Sequence, residues 1–309
     1  MGILEHYMSK ILSYTICFYF SLVGQVLSQD TFSIIAVDTI TGKVGSAGAS
    51  CIQGSIIISD IHPGLGGIHT QAYWNAINQD SASSLMDQGY SPEEIIDWLI
   101  SNDAQNDPSI RQYGIVDMEN GGRSAAHTGG NCEDFKGHKI GENYAIQGNI
   151  LLGQSILDEM EEAFLTQYGT FEEKMMAALM AANVTGADTR CEVYGTPAIS
   201  AFIRIAEPVD LIDSLFMDIN VNSAPLTLNP LDSLYSLYWD WKISHYISGD
   251  IDFDRVVGVN DVIALSDHII GSQTINDHAL DASDINMNGT VEITDLYLLL
   301  YQIIGITGI

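Results

Sequence analysis

The sequence predicts an α+β fold, a layered sandwich of sheets and helices, followed by a small all-α unit organised around two acidic loops. Two observations lead there. Along the first 245 residues, strand-like text rich in Ile, Val and Thr gives way to helical text and then returns to strand text, which suits a layered sandwich better than a parallel doubly wound sheet. Near the end, two twelve-residue acidic loops each feed an apolar helix. The 309 residues exceed one average domain, and 46% apolar content with 17% charged residues is globular composition. With 11 basic against 40 acidic residues the chain carries −29 at pH 7, which repels a phosphate backbone, so nucleic acid is not an expected partner.

Lys10 precedes an apolar run at residues 11–24 (ILSYTICFYFSLVG), and a more polar stretch with the small Ser28 follows. This is the layout of a secretory signal peptide over residues 1–28. Its apolar run falls short of the roughly 20 residues needed to cross a bilayer, and no later segment is long and apolar enough, so no transmembrane anchor is expected. The mature chain is therefore expected outside the cytoplasm, secreted, at the cell surface or in the periplasm. There Cys51, Cys132 and Cys191 meet oxidising conditions, and one pairing is Cys132 with Cys191, leaving Cys51 as a thiol in a glycine-flanked loop.

The large unit, residues 29–245, opens with TFSIIAVDTITGKVGSAGAS, an alternating stretch that predicts a β-hairpin turning at Thr41 and Gly42. Residues 56–58 and the glycines at Gly64, Gly66 and Gly67 predict another strand and a bend. Helical patterns follow at 72–79, 81–89 and 91–101, the last opened by Ser91 as cap, Pro92 in the first turn and Glu94 as reciprocal partner. Strand text returns at 112–117 and, past the Gly121–Gly122 turn, at 123–127. Two long helices are predicted over 150–168 and 170–183, then a strand over 198–206. Tyr235, Tyr238, Trp239 and Trp241 recur at helical spacing, which suits a packed face better than a sugar-stacking platform.

The second unit, residues 246–309, holds the loops. DIDFDRVVGVND places Asp250, Asp252, Asp254 and Asp261 at positions 1, 3, 5 and 12; DINMNGTVEITD places Asp284, Asn286, Asn288 and Asp295 there, 34 residues later. Alternating oxygen donors in a tight loop converge on a hard cation, with the position 7 carbonyls of Val256 and Thr290 adding a backbone ligand. Two Ca2+ sites are expected. Ten acidic residues from Gly249 onward stand against Arg255 alone, so without cation the unit should repel itself. Asp at position 12 and the duplicated loop-then-helix order resemble a type I dockerin, which implies docking on a cohesin-like scaffold protein. Arg255 departs from the glycine favoured at position 6, which Gly289 keeps.

In the large unit, TFSIIAVD, GKVGSAGAS, GIHTQAY, RQYGIVD, AAHTGGNCEDFKGHKIGENYAIQGNILLG and GADTR resemble the DUF1028 family, a bacterial group of unknown function assigned to the Ntn-hydrolase-like fold. The resemblance implies a four-layer αββα sandwich and, by superfamily analogy, an amide-bond (C–N) hydrolase acting on a small molecule or peptide. Thr31 matches the start of the TFSI segment and would be the nucleophile, its own α-amine serving as base, provided Gln29 and Asp30 are trimmed after the cut. His127 is the candidate for proton transfer. It opens a glycine-rich segment that carries Asn131, Cys132 and His138, with Asn149 beyond it, and whose backbone N–H groups could receive an oxyanion. Zinc held by His127, Cys132 and His138 is a weaker alternative. Arg111, Asp117, Asn131, Asp188 and Arg190 are the candidate substrate-binding residues; Arg190 could grip a carboxylate or simply pair with Asp188. The rival reading is a non-catalytic ligand-binding or scaffold protein on the same fold, and self-association into a homo-oligomer is left open.

Overall fold

A computed structural model describes residues 31–305 apart from Tyr168, Tyr246, Asn276 and Met287; the expected signal peptide lies outside the described residues. The predicted hairpin forms from β1 (Thr31–Asp38) and β2 (Lys43–Ser50). Asp38 accepts hydrogen bonds from the Ile40 N–H (3.0 Å) and the Thr41 hydroxyl (2.6 Å), and Gly42 turns at φ +77° where a β-carbon would meet Pro208 at 2.6 Å. After β3 (Ser59–His62) and β4 (Gly66–Ala72) come α1 (Ala76–Asp87) and α2 (Pro92–Ser101). The two helical patterns expected over 72–89 are thus one helix. Residues 66–72 are taken up by strand pairing with Arg111–Asp117, and Asn75 starts the helix by accepting from the Ile77 and Asn78 N–H groups. The Ser91–Glu94 capping box and Pro92 open α2 as the sequence predicts.

Next come β5 (Arg111–Asp117) and β6 (Arg123–Thr128), then β7 (Gly137–Ile140) and β8 (Tyr144–Gly148). The glycine-rich stretch 129–136 is a loop, and the β7–β8 hairpin after it goes unpredicted because its short polar strands carry no clear alternation. α3 (Ser155–Thr166), α4 (Phe171–Ala181), β9 (Ser200–Ala206), β10 (Met217–Val221) and α5 (Pro230–His245) complete the large unit. The small unit holds α6 (Val259–Ile269), α7 (Asp277–Ser283) and α8 (Ile293–Ile303).

This is a mixed α/β chain with two antiparallel sheets, ordered β10-β9-β2-β1-β8-β7 and β3-β4-β5-β6. Strand parity assigns the faces. Phe32, Ile34 and Ala36 of β1 pack with Met160, Met175 and Leu231 from α3, α4 and α5, while Ile35 and Val37 face Ile61 and Val116 of the second sheet. The far side of that sheet buries Ile68, Tyr113 and Ile115 against Leu85, Ile95 and Leu99 of α1 and α2. Each fully buried aliphatic side chain of this kind contributes roughly 1.5–3 kcal/mol. Among the described residues no helix is long and apolar enough to cross a membrane.

The cysteine pairing differs from the one expected. Cys51, just past β2, is bonded to Cys191 in the 3-10 turn Thr189–Tyr194, with Cα atoms 5.6 Å apart. Cys132 is a buried thiol whose Sγ lies 3.3 Å from the Arg111 carbonyl. The bridge closes a span of 140 residues, so chain entropy assigns it up to about 5 kcal/mol. Cys51→Ser should therefore lower the urea midpoint markedly; a variant as stable as the parent would show that the bridge does not constrain the unfolded chain.

Candidate functional site

Between the sheets the packing changes character along β1. Inward positions 35 and 37 are apolar, whereas 31 and 33 are Thr and Ser. The second sheet answers with His69 and Gln71 from β4 and Gln112 from β5, and β8 adds Gln147. Buried polar groups need partners, and these find one another. The Ser33 hydroxyl donates to Gln71 Oε1 (2.7 Å); His69 Nδ1 lies 3.0 Å from both Ser33 Oγ and Gln147 Nε2, and His69 Nε2 lies 2.6 Å from Ser46 Oγ, itself 2.7 Å from Ser59 Oγ. Gln147 Nε2 donates to Ser33 Oγ (2.7 Å). Gln71 Nε2 bridges the Thr31 carbonyl (3.2 Å) and Gln112 Oε1 (2.7 Å), and Gln112 Nε2 donates to the Gly148 carbonyl (2.9 Å). Gly114 makes room for this seam: a β-carbon there would lie 2.0 Å from Gln147 Oε1. Burial, helped by Arg204, pushes the His69 pKa down to about 3, so the imidazole is neutral.

Thr31 sits at the end of the seam, buried, as the first residue of β1. Its N–H points to Asn149 Oδ1 (3.4 Å), and its carbonyl accepts from the Asn149 N–H (3.2 Å). Ser50 lies opposite it across the β1–β2 register. Beside Ser50, buried Asp188 accepts from the Cys51 N–H (2.8 Å) and from Arg190 through Nε (3.0 Å) and Nη2 (2.6 Å). Arg190 Nη2 also reaches Ser50 Oγ at 3.5 Å. The disulfide ties this pair to the end of β2. Four of the sequence candidates, Thr31, Asn149, Asp188 and Arg190, thus share one neighbourhood, and Asp188 and Arg190 do pair.

The other candidates lie elsewhere. His127 stacks on Tyr113 (5.9 Å between centroids) on the helix-covered face of the second sheet, and the sheet itself separates it from Thr31. Arg111 is buried in a pair with Asp103 (Nε–Oδ2 2.8 Å) and donates to Gln105 Oε1 (2.7 Å), so its fork is filled by protein rather than turned to a substrate. Burial alone would raise the Asp103 pKa; hydrogen bonds from Arg111, Asn78 and the Gln105 and Asp107 N–H groups overcome it and hold the carboxyl well below its ordinary range. Asp117 binds Arg123 bidentately at the other end of β5, about 20 Å away along the strand. Asn131 is exposed and donates to Ser109 Oγ (2.9 Å). His127, Cys132 and His138 do not converge as zinc ligands; His138 Nδ1 instead lies 2.8 Å from Thr128 Oγ1. Sequence reasoning passed over Ser33, Ser46, His69, Gln71, Gln112 and Gln147. The available signal was three polar residues, HTQ, inside a glycine-flanked strand.

In the small unit the two loops fold alike. Asp261 accepts from the Ile251 (2.5 Å), Asp252 (3.1 Å) and Gly258 (2.7 Å) N–H groups; Asp295 accepts from Ile285 (2.9 Å), Asn286 (3.2 Å) and Glu292 (2.9 Å). Asp250 Oδ2 takes the Arg255 N–H and Asp284 Oδ2 the Gly289 N–H. The Val256 and Thr290 N–H groups donate to Asp254 and Asn288. The carboxylate oxygens of Asp250, Asp252 and Asp254 come within 4.8 Å of one another, and buried Asp250 Oδ1 has no hydrogen-bond partner. Burial and the neighbouring carboxylates raise the Asp250 pKa and push that of Asp252 up to about 6. Crowded carboxylates with an orphaned buried oxygen are a donor set that fits a hard divalent cation.

Taken together these features define a mixed α/β protein whose paired antiparallel sheets enclose a neutral polar seam with a threonine at its end. Its family is narrower still: residues 31–231 match the family of unknown function DUF1028, and the chain belongs to that family. It is similar to the crystal structure of a DUF1028 protein from Silicibacter pomeroyi, SPO2555, with 26% identity and a TM-score of 0.57 over 68% of this chain and 88% of that one. No curated protein matches the chain. The family match ends before the acidic loops.

The seam sets an acid limit. His69 titrates at 6.5 when unfolded and at about 3 when folded, so only the unfolded chain takes up this proton between those values. Its stabilising effect is complete above the unfolded pKa and is lost as pH falls toward the folded one, by up to about 1.4 kcal/mol per pH unit. Urea titrations at successive pH values should show a shallower acid limb for His69→Gln than for the parent; superimposable limbs would mean that His69 is protonated in the folded protein.

Proposed function

We propose that this chain is an exported amide-bond hydrolase of Ntn type, acting on a small molecule or peptide and tethered by a calcium-dependent, dockerin-like module. On this reading the helix-covered paired sheets are the αββα sandwich of that class. The observation that carries it is the position of Thr31, first residue of β1, at the end of the seam and within reach of Asn149. Once residues 1–30 are removed, its nitrogen becomes an α-amine with a pKa near 8, able to take the proton from its own hydroxyl as that oxygen attacks a carbonyl. Asn149 orients the amine, and the partly exposed Arg190, pinned by Asp188, faces a substrate carboxylate. His127 has no part in this scheme.

Mass spectrometry of the secreted protein should find a chain beginning at Thr31, and Thr31→Ala should cut turnover of acyl amides by about three orders of magnitude or more without altering the circular dichroism. A chain that begins at Gln29 and turns over amides equally well would take Thr31 out of the mechanism. The burial of Thr31 favours the rival reading, a ligand-binding protein. Absence of turnover in a chain with Thr31 at its terminus would decide for that rival.

Loop 1 would hold its Ca2+ through Asp250, Asp252, Asp254, the Val256 carbonyl and Asp261; loop 2 through Asp284, Asn286, Asn288, the Thr290 carbonyl and Asp295. The paired exposed residues Val259 and Ile293, Ile263 and Tyr297, Ile270 and Ile304 repeat at the 34-residue interval and offer an apolar face to a cohesin-like partner. In calorimetry of the full chain a calcium chelator should shift or remove one transition, that of residues 246–309, and spare the other; a profile indifferent to chelator would defeat the calcium reading.

A further inference from the structure

Two side chains of loop 1 leave the loop toward the large unit. Phe253 at position 4 and Arg255 at position 6 hold left-handed φ values of +61° and +69°, whereas loop 2 has Gly289 at position 6 with φ +85°. Such a φ is unfavourable for any residue with a β-carbon, so a side chain retained there needs compensation from its contacts. Both side chains find contacts on the large unit. The Arg255 guanidinium lies 4.9 Å over the Phe216 ring, with Nη1 3.7 Å from Glu207 Oε1. The Phe253 ring stands edge-on to Trp239 at 6.2 Å and lies 4.3 Å from Lys242 Nζ. Lys242 is itself buried on α5 and bonds Glu173 Oε1 at 2.8 Å. Asp250 and Asp254 line a small cavity together with Lys43, Phe216 and Lys242, so the carboxylates and the contact between the units share a wall. In loop 2, by contrast, Asn288, Gly289 and Thr290 are exposed.

We infer that loop 1 is the element that docks the small unit on the sandwich through Phe253 and Arg255, and that ion occupancy of loop 1, unlike that of loop 2, is coupled to this docking. The inference rests on the calcium reading above. The carboxylates that would hold the ion also shape the backbone that presents the two docking side chains: Asp250 accepts from the Arg255 N–H, and Asp254 lies between Phe253 and Arg255. Neutralising them fixes that backbone, and reciprocity requires the docked contacts to tighten the ion in return.

The full chain can be titrated with calcium while tryptophan emission, which Trp239 ties to Phe253, and calorimetric stoichiometry are recorded together. Two ions should bind with a change in emission. Asp250→Asn should lose one ion and the emission change, while Asp284→Asn should lose one ion and keep it. Arg255→Gly, which suits the left-handed φ, should still bind two ions but with loop 1 weakened about tenfold, within the usual range of coupling between sites. An emission change that follows loop 2, or Arg255→Gly with both affinities unchanged, overturns the coupling. A parent chain that takes up no calcium overturns the calcium reading, and the coupling falls with it.

Discussion

Burying polar side chains between two sheets is tolerable only if each finds a partner there, and the large unit is organised by that constraint. Ser33, Ser46, His69, Gln71, Gln112 and Gln147 come from five strands of both sheets and are joined by hydrogen bonds around a neutral His69. A sheet slipped by one residue would turn these groups toward the helices and the apolar residues toward the seam. The network therefore fixes register as well as packing, and it requires Gly114 where Gln147 fills the space of a side chain.

The end of the seam is where Thr31, Asn149, Asp188 and Arg190 come together. Thr31 heads the strand that carries Ser33, and its backbone is held on both sides by Asn149 and Gln71. The Asp188–Arg190 pair approaches through Ser50 and is tied by the Cys51–Cys191 bridge. Three regions far apart in sequence are thus held at one strand end by hydrogen bonds and one covalent link. Arg111 and Asp117 serve elsewhere in the second sheet as halves of ion pairs, a reminder that charged residues in family-like motifs can be structural.

The small unit shows the opposite economy, since its two loops repeat one pattern of backbone-to-carboxylate bonds and differ in what they face. In loop 1 the substitution of arginine for glycine is accompanied by contacts to Phe216 and Glu207. The two copies thus differ: loop 1 touches the sandwich through Phe253 and Arg255, whereas Asn288, Gly289 and Thr290 of loop 2 are exposed.

Read alone, the sequence determined whatever depends on neighbours a few residues apart. The Thr41–Gly42 turn, the Ser91–Glu94 capping box, the β1–β2 alternation and the 34-residue repeat of the acidic loops all follow from local hydrogen bonding and periodicity, and the motif string was enough to identify the DUF1028 family. Tertiary structure decided the rest: that Cys51 rather than Cys132 meets Cys191, that His127 faces helices while Thr31 faces the seam, that Arg111 spends its charge on Asp103, and that six unremarked polar residues form one network. These depend on which strands pair and which face each residue takes, and long-range pairing is set by the burial of the whole sheet rather than by any short stretch of chain.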